Sequence, residues 1–188
     1  MVATSAVRTA DQSHGRPLPP ISLILGGARS GKSRYAETLI AQAGGGLYLA
    51  TAAPGDAEMA ERIAAHRARR GSDWDTVEEP LDLVGVLGRR ASAGQPILVD
   101  CLTLWLSNLF QAGREPQGAI SALIQARTEW RSPVVFVSNE VGLGIVPENA
   151  LARRFRDATG HLHQTLADCA GLVAFVVAGL PMILKDTR

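Results

Sequence analysis

Short apolar runs alternate with helical stretches from residue 21 to the end of the chain. The first run, residues 21–25, is followed by a glycine-rich turn and by a helix predicted over residues 32–43, whose apolar positions recur at helical spacing. Such alternation is typical of βα units, in which parallel strands form one sheet with helices on both faces. The pattern therefore predicts an α/β fold with a mostly parallel sheet.

The same pattern predicts the remaining elements. The later strands are predicted at residues 47–50, 74–77, 97–99, 134–137, 172–177 and 183–185. The later helices are predicted at residues 56–70, 81–90, 102–110, 118–131 and 149–170. Because the run at 134–137 is the most strongly β-branched, we expect it to be a central strand.

Residues 1–20 lack this periodicity. They end in Pro17, Pro19 and Pro20, which do not easily begin a regular element. We therefore predict a flexible extension over residues 1–20 and a single domain over residues 21–188. A chain of 188 residues buries roughly 70% of its unfolded surface, which is enough for one core and too little for two separately folded enzymes.

Composition and charge exclude several classes of protein. The 19 basic and 18 acidic side chains leave a formal charge of +1, which argues against a nucleic-acid-binding protein. Cys101 and Cys169 are too few for a disulfide scaffold or a cysteine-based zinc site, so we expect reduced packing residues. The most apolar stretch, residues 172–184, is shorter than the about 20 residues of a membrane span. With no signal-peptide pattern visible, we expect a cytoplasmic protein that does not insert into membranes.

The segment between the first strand and the first helix carries a phosphate-binding motif. The pattern G-x-x-x-x-G-K-[ST] is matched by Gly26, Gly27, Ala28, Arg29, Ser30, Gly31, Lys32 and Ser33. In this motif backbone N–H groups turn toward phosphate oxygens, and the helix N-terminus adds a partial positive charge. Lys32 is expected to reach the terminal phosphates and Ser33 to ligate Mg²⁺. The motif predicts a nucleoside triphosphate site, against the alternative of a glycine turn without a ligand.

An acidic residue follows the predicted strand at 97–99. Asp100 has the position of a Walker B acid, which faces the phosphate site from the carboxyl end of an apolar strand. The same residue could instead cap the helix predicted at 102–110. Beside a P-loop, a nucleotide or Mg²⁺ role is the favoured interpretation.

His66 lies among cations on the helix predicted at 56–70. Arg62 is one turn before it, and Arg69 and Arg70 are one turn after it. Nearby positive charge favours the neutral, nucleophilic imidazole, so His66 could take a phosphoryl or nucleotidyl group. The residues alone fit a solvated basic helix face with an incidental histidine better.

The loop at residues 138–149 follows the predicted central strand, at the sheet edge where ligands of open α/β folds bind. A substrate site containing Asn139 and Glu140 and an ordinary loop with a helix cap fit the residues equally well. His161 and His163, on the last predicted helix, are expected to be exposed and receive no role.

Four motifs in one order resemble the bifunctional adenosylcobinamide kinase / adenosylcobinamide-phosphate guanylyltransferase family. They are the P-loop GGARSGKS and the segments at residues 61–67, 99–103 and 139–157. The resemblance extends from residue 21 to about residue 185 and leaves only the N-terminal extension outside. It implies a RecA-like P-loop NTPase fold, often assembled as a homotrimer.

The resemblance also implies two reactions in cobalamin (vitamin B12) biosynthesis. In the first, ATP or GTP phosphorylates the aminopropanol hydroxyl of adenosylcobinamide. In the second, GMP from GTP is transferred to that phosphate, which gives adenosylcobinamide-GDP and pyrophosphate. The family's GMP-carrying histidine falls on His66, so its imidazole is expected to attack the α-phosphorus of GTP.

The resemblance further implies nucleotide contacts outside the P-loop. They fall on Thr51, Ala52, Ala53, Arg67, Ala68, Arg69, Arg70, Glu78 and Asp100. An acid at Glu78 or Asp100 could accept the N1–H and N2–H₂ donors of guanine, so Asp100 could read the base as well as, or instead of, coordinating Mg²⁺.

Two other functions fit the P-loop. A single-function small-molecule kinase would transfer only the γ-phosphate and form no covalent GMP adduct. A GTP-binding regulatory protein usually reads guanine with an N-K-x-D motif, which this sequence lacks.

Overall fold

A computed structural model describes residues 8–9, 16–52 and 74–188 of the chain. These residues contain eight strands and five helices. The strands are β1 (Arg8–Thr9), β2 (Ile21–Gly26), β3 (Gly46–Ala50), β4 (Trp74–Glu78), β5 (Ile97–Asp100), β6 (Val134–Asn139), β7 (Leu172–Val177) and β8 (Leu180–Asp186). The helices are α1 (Lys32–Gln42), α2 (Leu83–Arg90), α3 (Leu102–Gln111), α4 (Pro116–Ala126) and α5 (Ala150–Cys169), with a 3₁₀ turn at Arg127–Glu129.

All eight strands belong to one sheet with the order β1-β8-β7-β2-β6-β5-β3-β4. From β7 to β4 every neighbouring pair is parallel, and β8 and β1 extend the sheet antiparallel beyond β7. The predicted mostly parallel α/β sheet is therefore confirmed. β6 lies between β2 and β5, which confirms the β-branched run at 134–137 as a central strand.

Helices cover both faces of the sheet. On one face, α1 packs through Leu39 and Ile40 against strand residues such as Val135. On the other face, α2 to α5 pack around Phe136 and Trp105. A strand covered on both faces carries mostly apolar residues, which explains the nearly continuous apolar runs of β2 and β6.

Among the predicted elements, one helix and one strand differ most from their sequence predictions. The helix predicted at 118–131 begins earlier, because Pro116 suits the first helical turn, and it gives way to the 3₁₀ turn after Ala126. The last strand is longer than residues 183–185 and forms a hairpin with β7. Its turn residues Ala178 and Gly179 both have positive φ, the geometry of two-residue hairpin turns. The helix predicted at 56–70 lies outside the described residues.

The proline-rich end of the predicted extension contacts the amino ends of the central strands. Pro19 is buried, and the Pro20 carbonyl accepts a hydrogen bond from the N–H of Val134 at 2.9 Å. The pair Arg8–Thr9 adds to β8 as an edge strand. These contacts lie away from the carboxyl ends of β2 and β6.

The P-loop packs closely against the end of β7 and the turn that follows it. A Cβ on Gly26 would lie 2.5 Å from Ser30 Oγ and 2.6 Å from the carbonyl oxygen of Val176. Gly179 donates its N–H to the Ser30 carbonyl at 2.8 Å. The first glycine of the motif is therefore required by the approach of backbone to backbone.

Replacing Gly26 with alanine should destabilise the protein by about 1–3 kcal/mol, the usual cost of overpacking, because the added methyl group would collide with a backbone carbonyl. The free energy of unfolding, measured by urea titration, tests this. Gly27→Ala is the matched control, since a Cβ there meets nothing within 4 Å. Equal stability of the two variants would contradict the packing argument.

Candidate active site

The carboxyl ends of the parallel strands bring the predicted site residues to one edge of the sheet. Gly26 pairs with Asn139 across β2 and β6. On the other side of β6, Asp100 pairs with Ala50, and Ala50 pairs with Glu78. The P-loop, the Asn139 segment and both candidate acids therefore share this edge.

Lys32 begins α1 and is buried by the loop in front of it. Its Nζ donates to the Gly27 carbonyl at 3.1 Å, so the ammonium group folds back over the P-loop. Gly31 is the N-cap of α1 and supplies no side-chain acceptor, and the first turn contains no acidic residue. The N–H groups of that turn, with the positive end of the helix dipole, are thus arranged to accept an anion.

Two buried polar atoms flank Gly26 without a hydrogen-bond partner among the described residues. They are Ser30 Oγ and Asn139 Oδ1. A buried polar atom without a partner costs about 1–3 kcal/mol, so such atoms are usually satisfied by a ligand or water. Their position beside the P-loop is consistent with a ligand site there. The tip of the loop, Ala28 and Arg29, is exposed, and Ser33 is half-buried.

Asp100 is held from the neighbouring strand. Its Oδ2 accepts the hydroxyl hydrogen of Tyr48 at 3.0 Å. The alternative role as a helix cap is wrong, because the N-cap of α3 is Cys101. The helix begins one residue too late for the Asp100 side chain to take that position.

Burial and the charges at this edge shift the pKa of the Cys101 thiol. Burial raises its pKa to about 11, with a further increase from Asp100 and an opposing effect from Lys32. Cys101 is therefore a protonated packing residue at neutral pH, and both Cys101 and Cys169 are free, as predicted.

Thr51 ties the end of β3 to the end of β5. Its fully buried hydroxyl donates to the Cys101 carbonyl at 2.6 Å and accepts the Cys101 N–H at 2.9 Å. Asn108, which sequence analysis did not single out, donates its side-chain amide to the carbonyls of Thr51 at 2.8 Å and Pro80 at 3.1 Å. The backbone at Thr51, with half-buried Ala52 after it, is thus anchored from α3.

Other predicted site residues lie at the margin of this edge or outside the described residues. Glu78 ends β4 and is exposed. His66, the predicted carrier of GMP, lies outside the described residues together with Ala53, Arg67, Ala68, Arg69 and Arg70. Their roles stay predictions.

The expectation that His163 is exposed is wrong. Its side chain is buried on the face of α5 that carries Thr159, Leu162 and Leu166, a spacing of three and four residues that marks one side of a helix. Its Nε2 lies 2.7 Å from Ser138 Oγ, and its Nδ1 lies 3.6 Å from Glu140 Oε2. Burial lowers the pKa of His163, although Glu140 opposes this change.

Within the part of the chain that the structure describes, no group of three or more histidine, cysteine, aspartate or glutamate side chains could together hold a metal ion. In the same residues, every helix is too short or too polar to span a membrane.

Solved structures that resemble this one include an ATPase and a recombinase. An ATPase from the type III secretion system of pathogenic bacteria aligns with a TM-score of 0.50 and 10% identity, over 84% of this chain and 51% of the ATPase. The RadB recombinase aligns with a TM-score of 0.48 and 14% identity, over 86% of this chain and 76% of RadB. At such identity the likeness concerns the fold alone, and the ATPase agrees with the predicted P-loop NTPase architecture.

The chain aligns with nearly the whole length of three relatives that are named as adenosylcobalamin biosynthesis proteins. The bifunctional adenosylcobalamin biosynthesis protein CobP of Pseudomonas aeruginosa is 53% identical, over 87% of this chain and 96% of CobP. The corresponding CobU proteins of Escherichia coli and Salmonella typhimurium are 40% and 42% identical, each over 87% of this chain and 98% of the relative. The family model for cobinamide kinase / cobinamide phosphate guanyltransferase matches residues 22–184. The chain therefore belongs to the cobinamide kinase / cobinamide phosphate guanyltransferase family.

Proposed function

We propose that this chain catalyses two successive reactions of cobalamin biosynthesis at the carboxyl edge of its sheet. The first phosphorylates adenosylcobinamide with ATP or GTP, and the second transfers GMP from GTP to the product. The observation that carries the proposal is the P-loop, with buried Lys32 folded over it and an uncapped helix N-terminus behind it.

In the kinase step, the aminopropanol hydroxyl oxygen attacks the γ-phosphorus. The bond from that phosphorus to the β–γ bridging oxygen breaks, the nucleoside diphosphate leaves, and the hydroxyl proton passes to water. Lys32 and the first-turn N–H groups of α1 stabilise the negative charge on the transferred group and on the leaving diphosphate.

In the guanylyl step, an imidazole nitrogen of His66 attacks the α-phosphorus of GTP and pyrophosphate leaves. A phosphate oxygen of adenosylcobinamide phosphate then attacks the same phosphorus, and the P–N bond breaks to free His66. A covalent intermediate allows the two bulky substrates to use one site in turn.

Side-chain oxygen atoms at this edge are suited to coordinate Mg²⁺ and to accept hydrogen bonds from guanine. The Ser33 hydroxyl and the Asp100 carboxylate are of the type that Mg²⁺ prefers, and the bound ion would neutralise charge on the phosphates. The hydrogen bond from Tyr48 to Oδ2 restrains the orientation of the Asp100 carboxylate at this edge. Glu78 is the second candidate for accepting the guanine N–H donors.

The loop after β6 is the candidate contact for the corrinoid. Glu140, at its start, donates its N–H to the Gly26 carbonyl at 3.1 Å, so the loop begins beside the P-loop. Three of its aliphatic side chains are largely exposed, Leu143 at 82%, Ile145 at 97% and Val146 at 59%. The corrin ring must lie near the P-loop for the hydroxyl of its aminopropanol arm to reach the γ-phosphate, and the methyl groups at the ring's edge would cover such side chains.

Replacing His66 with alanine should abolish covalent labelling by α-labelled GTP while phosphorylation of adenosylcobinamide continues, because only the guanylyl step uses the imidazole. The label is counted on the protein before and after acid treatment, since a phosphoramidate is acid-labile. Mass analysis of adenosylcobinamide incubated with GTP and Mg²⁺ gives the phosphate and GMP additions.

His161→Ala is the matched control, because His161 is an exposed histidine of α5 outside the proposed site. It should keep both the label and both products. Labelling that survives in His66→Ala would remove His66 from the mechanism. A wild-type chain that adds phosphate and never GMP would reduce the function to that of a kinase.

The double variant Leu143→Ser with Ile145→Ser should raise the KM for adenosylcobinamide by about tenfold or more, since each buried aliphatic side chain contributes about 1.5–3 kcal/mol. The KM for the nucleotide should stay within about twofold, because the P-loop contacts are unchanged. Steady-state kinetics with each substrate varied in turn measures both constants.

Leu184→Ser, a change at an exposed leucine of β8, is the control and should leave both constants unaltered. Sedimentation of the same variants tests the homotrimer that the resemblance implies. A double variant that dissociates and keeps its KM for the corrinoid would assign the loop to contacts between copies of the chain.

A further inference from the structure

We propose that His163 is a positioning residue for the kinase step. Its side chain holds the Asn139–Glu140 segment against the P-loop through Ser138, Thr103 and Glu140. The inference rests on the proposed function and adds to it a residue that never touches the substrates. It is carried by a buried chain of polar groups that links α5 to the sheet edge.

One arm of this chain runs from His163 to the backbone of Asn139. Ser138 Oγ lies 2.7 Å from His163 Nε2 and 3.0 Å from Thr103 Oγ1. Thr103 Oγ1 in turn accepts the N–H of Asn139 at 2.7 Å. Side chains from α3 and α5 therefore fix the position of a residue that pairs with Gly26 of the P-loop.

The second arm runs from His163 to the loop that follows. Nδ1 faces Glu140 Oε2 at 3.6 Å, and Oε1 of the same carboxylate accepts the N–H of Gly142. The Glu140 backbone N–H donates to the Gly26 carbonyl. The imidazole thus contacts both residues that flank Asn139.

Hydrogen-bond capacity orders the protons along this chain. The Asn139 N–H can only donate, so Thr103 Oγ1 accepts there. A neutral ring pairs with the Glu140 carboxylate when its hydrogen is on Nδ1, and Nε2 is then the acceptor for Ser138, whose oxygen can accept from Thr103. Each group donates once in the same direction, which gives every member of the chain a partner.

A serine, a histidine and a carboxylate in contact also suggest a hydrolytic triad. Ser138 Oγ cannot be its nucleophile, because Ser138 is 0% exposed and an attacking oxygen must reach its substrate. The geometry instead serves to hold the strand end in one place. A displacement of a reacting group by about 1 Å can cost on the order of 100-fold in rate, so such support matters at this edge.

The test compares His163→Phe, which keeps the ring and removes both nitrogens, with His163→Gln, whose Oε1 can still accept from Ser138. For phosphorylation of adenosylcobinamide, His163→Phe should lower kcat by about tenfold or more, with the KM for the nucleotide within about threefold. His163→Gln should recover most of the lost kcat. His161→Phe, on the same helix, is the control and should match the wild type.

Ser138→Ala removes one hydroxyl from this series of hydrogen bonds. It is the second test of the inference if the His163→Phe variant does not fold. It should lower kcat in the same direction. Ser138→Ala with kcat unchanged, or His163→Gln as impaired as His163→Phe, would overturn the inference and leave His163 as packing.

Hydrogen exchange of the backbone amides at residues 138–142 provides a readout without substrate. Exchange should accelerate in His163→Phe and Ser138→Ala and stay near the wild-type rate in His163→Gln. Unchanged exchange in all three variants would overturn the positioning role. A wild-type chain that phosphorylates nothing, with exchange altered as expected, would instead contradict the proposed function and retain the role of His163 in positioning.

Discussion

The parallel register of β6 between β2 and β5 is the constraint on which the site depends. It sets Asn139 beside Gly26 on one side and Val137 beside Asp100 on the other. A shift by one residue would turn each side chain of β6 to the opposite face, and would bury Asn139 among the groups that pack on Phe136. Because both faces of this strand are closely packed by different side chains, such a shift would disrupt the packing on both faces.

Polar groups buried beneath the edge then restrain the loops. Thr51 and Asn108 tie the segments after β3 and β4 to α3, while Thr103, Ser138 and His163 tie the end of β6 to α3 and α5. Satisfied networks of this kind stiffen their surroundings, since each unpaired member would incur a desolvation cost. Two polar atoms beside Gly26 of the P-loop have no protein partner among the described residues. They are Ser30 Oγ and Asn139 Oδ1, and a ligand is proposed to bind at this edge.

A small domain that performs two transfers must concentrate its charge. The formal charge of the whole chain is +1, yet Lys32 lies with the positive end of α1 at one point on the edge. The negative charge of Asp100 lies on the neighbouring part of the same edge. Both charges affect the pKa of the Cys101 thiol, which Asp100 raises and Lys32 lowers. The near-neutral sum therefore says little about the potential at the site.

The alternation of apolar runs and helical stretches was sufficient to predict the parallel sheet and its central strand, because burial on both faces leaves a continuous apolar signature. The P-loop was equally evident, since its glycines and Lys32 act through local backbone geometry. Only the tertiary structure decided which face of α5 is buried, and with it the position of His163, because a single histidine is compatible with either side of a helix. It also excluded the helix-cap role of Asp100, since a difference of one residue in where α3 begins depends on how the strand end packs. The close approach of Gly26 to Val176 joins residues distant in the chain, and local sequence patterns contain no record of such contacts.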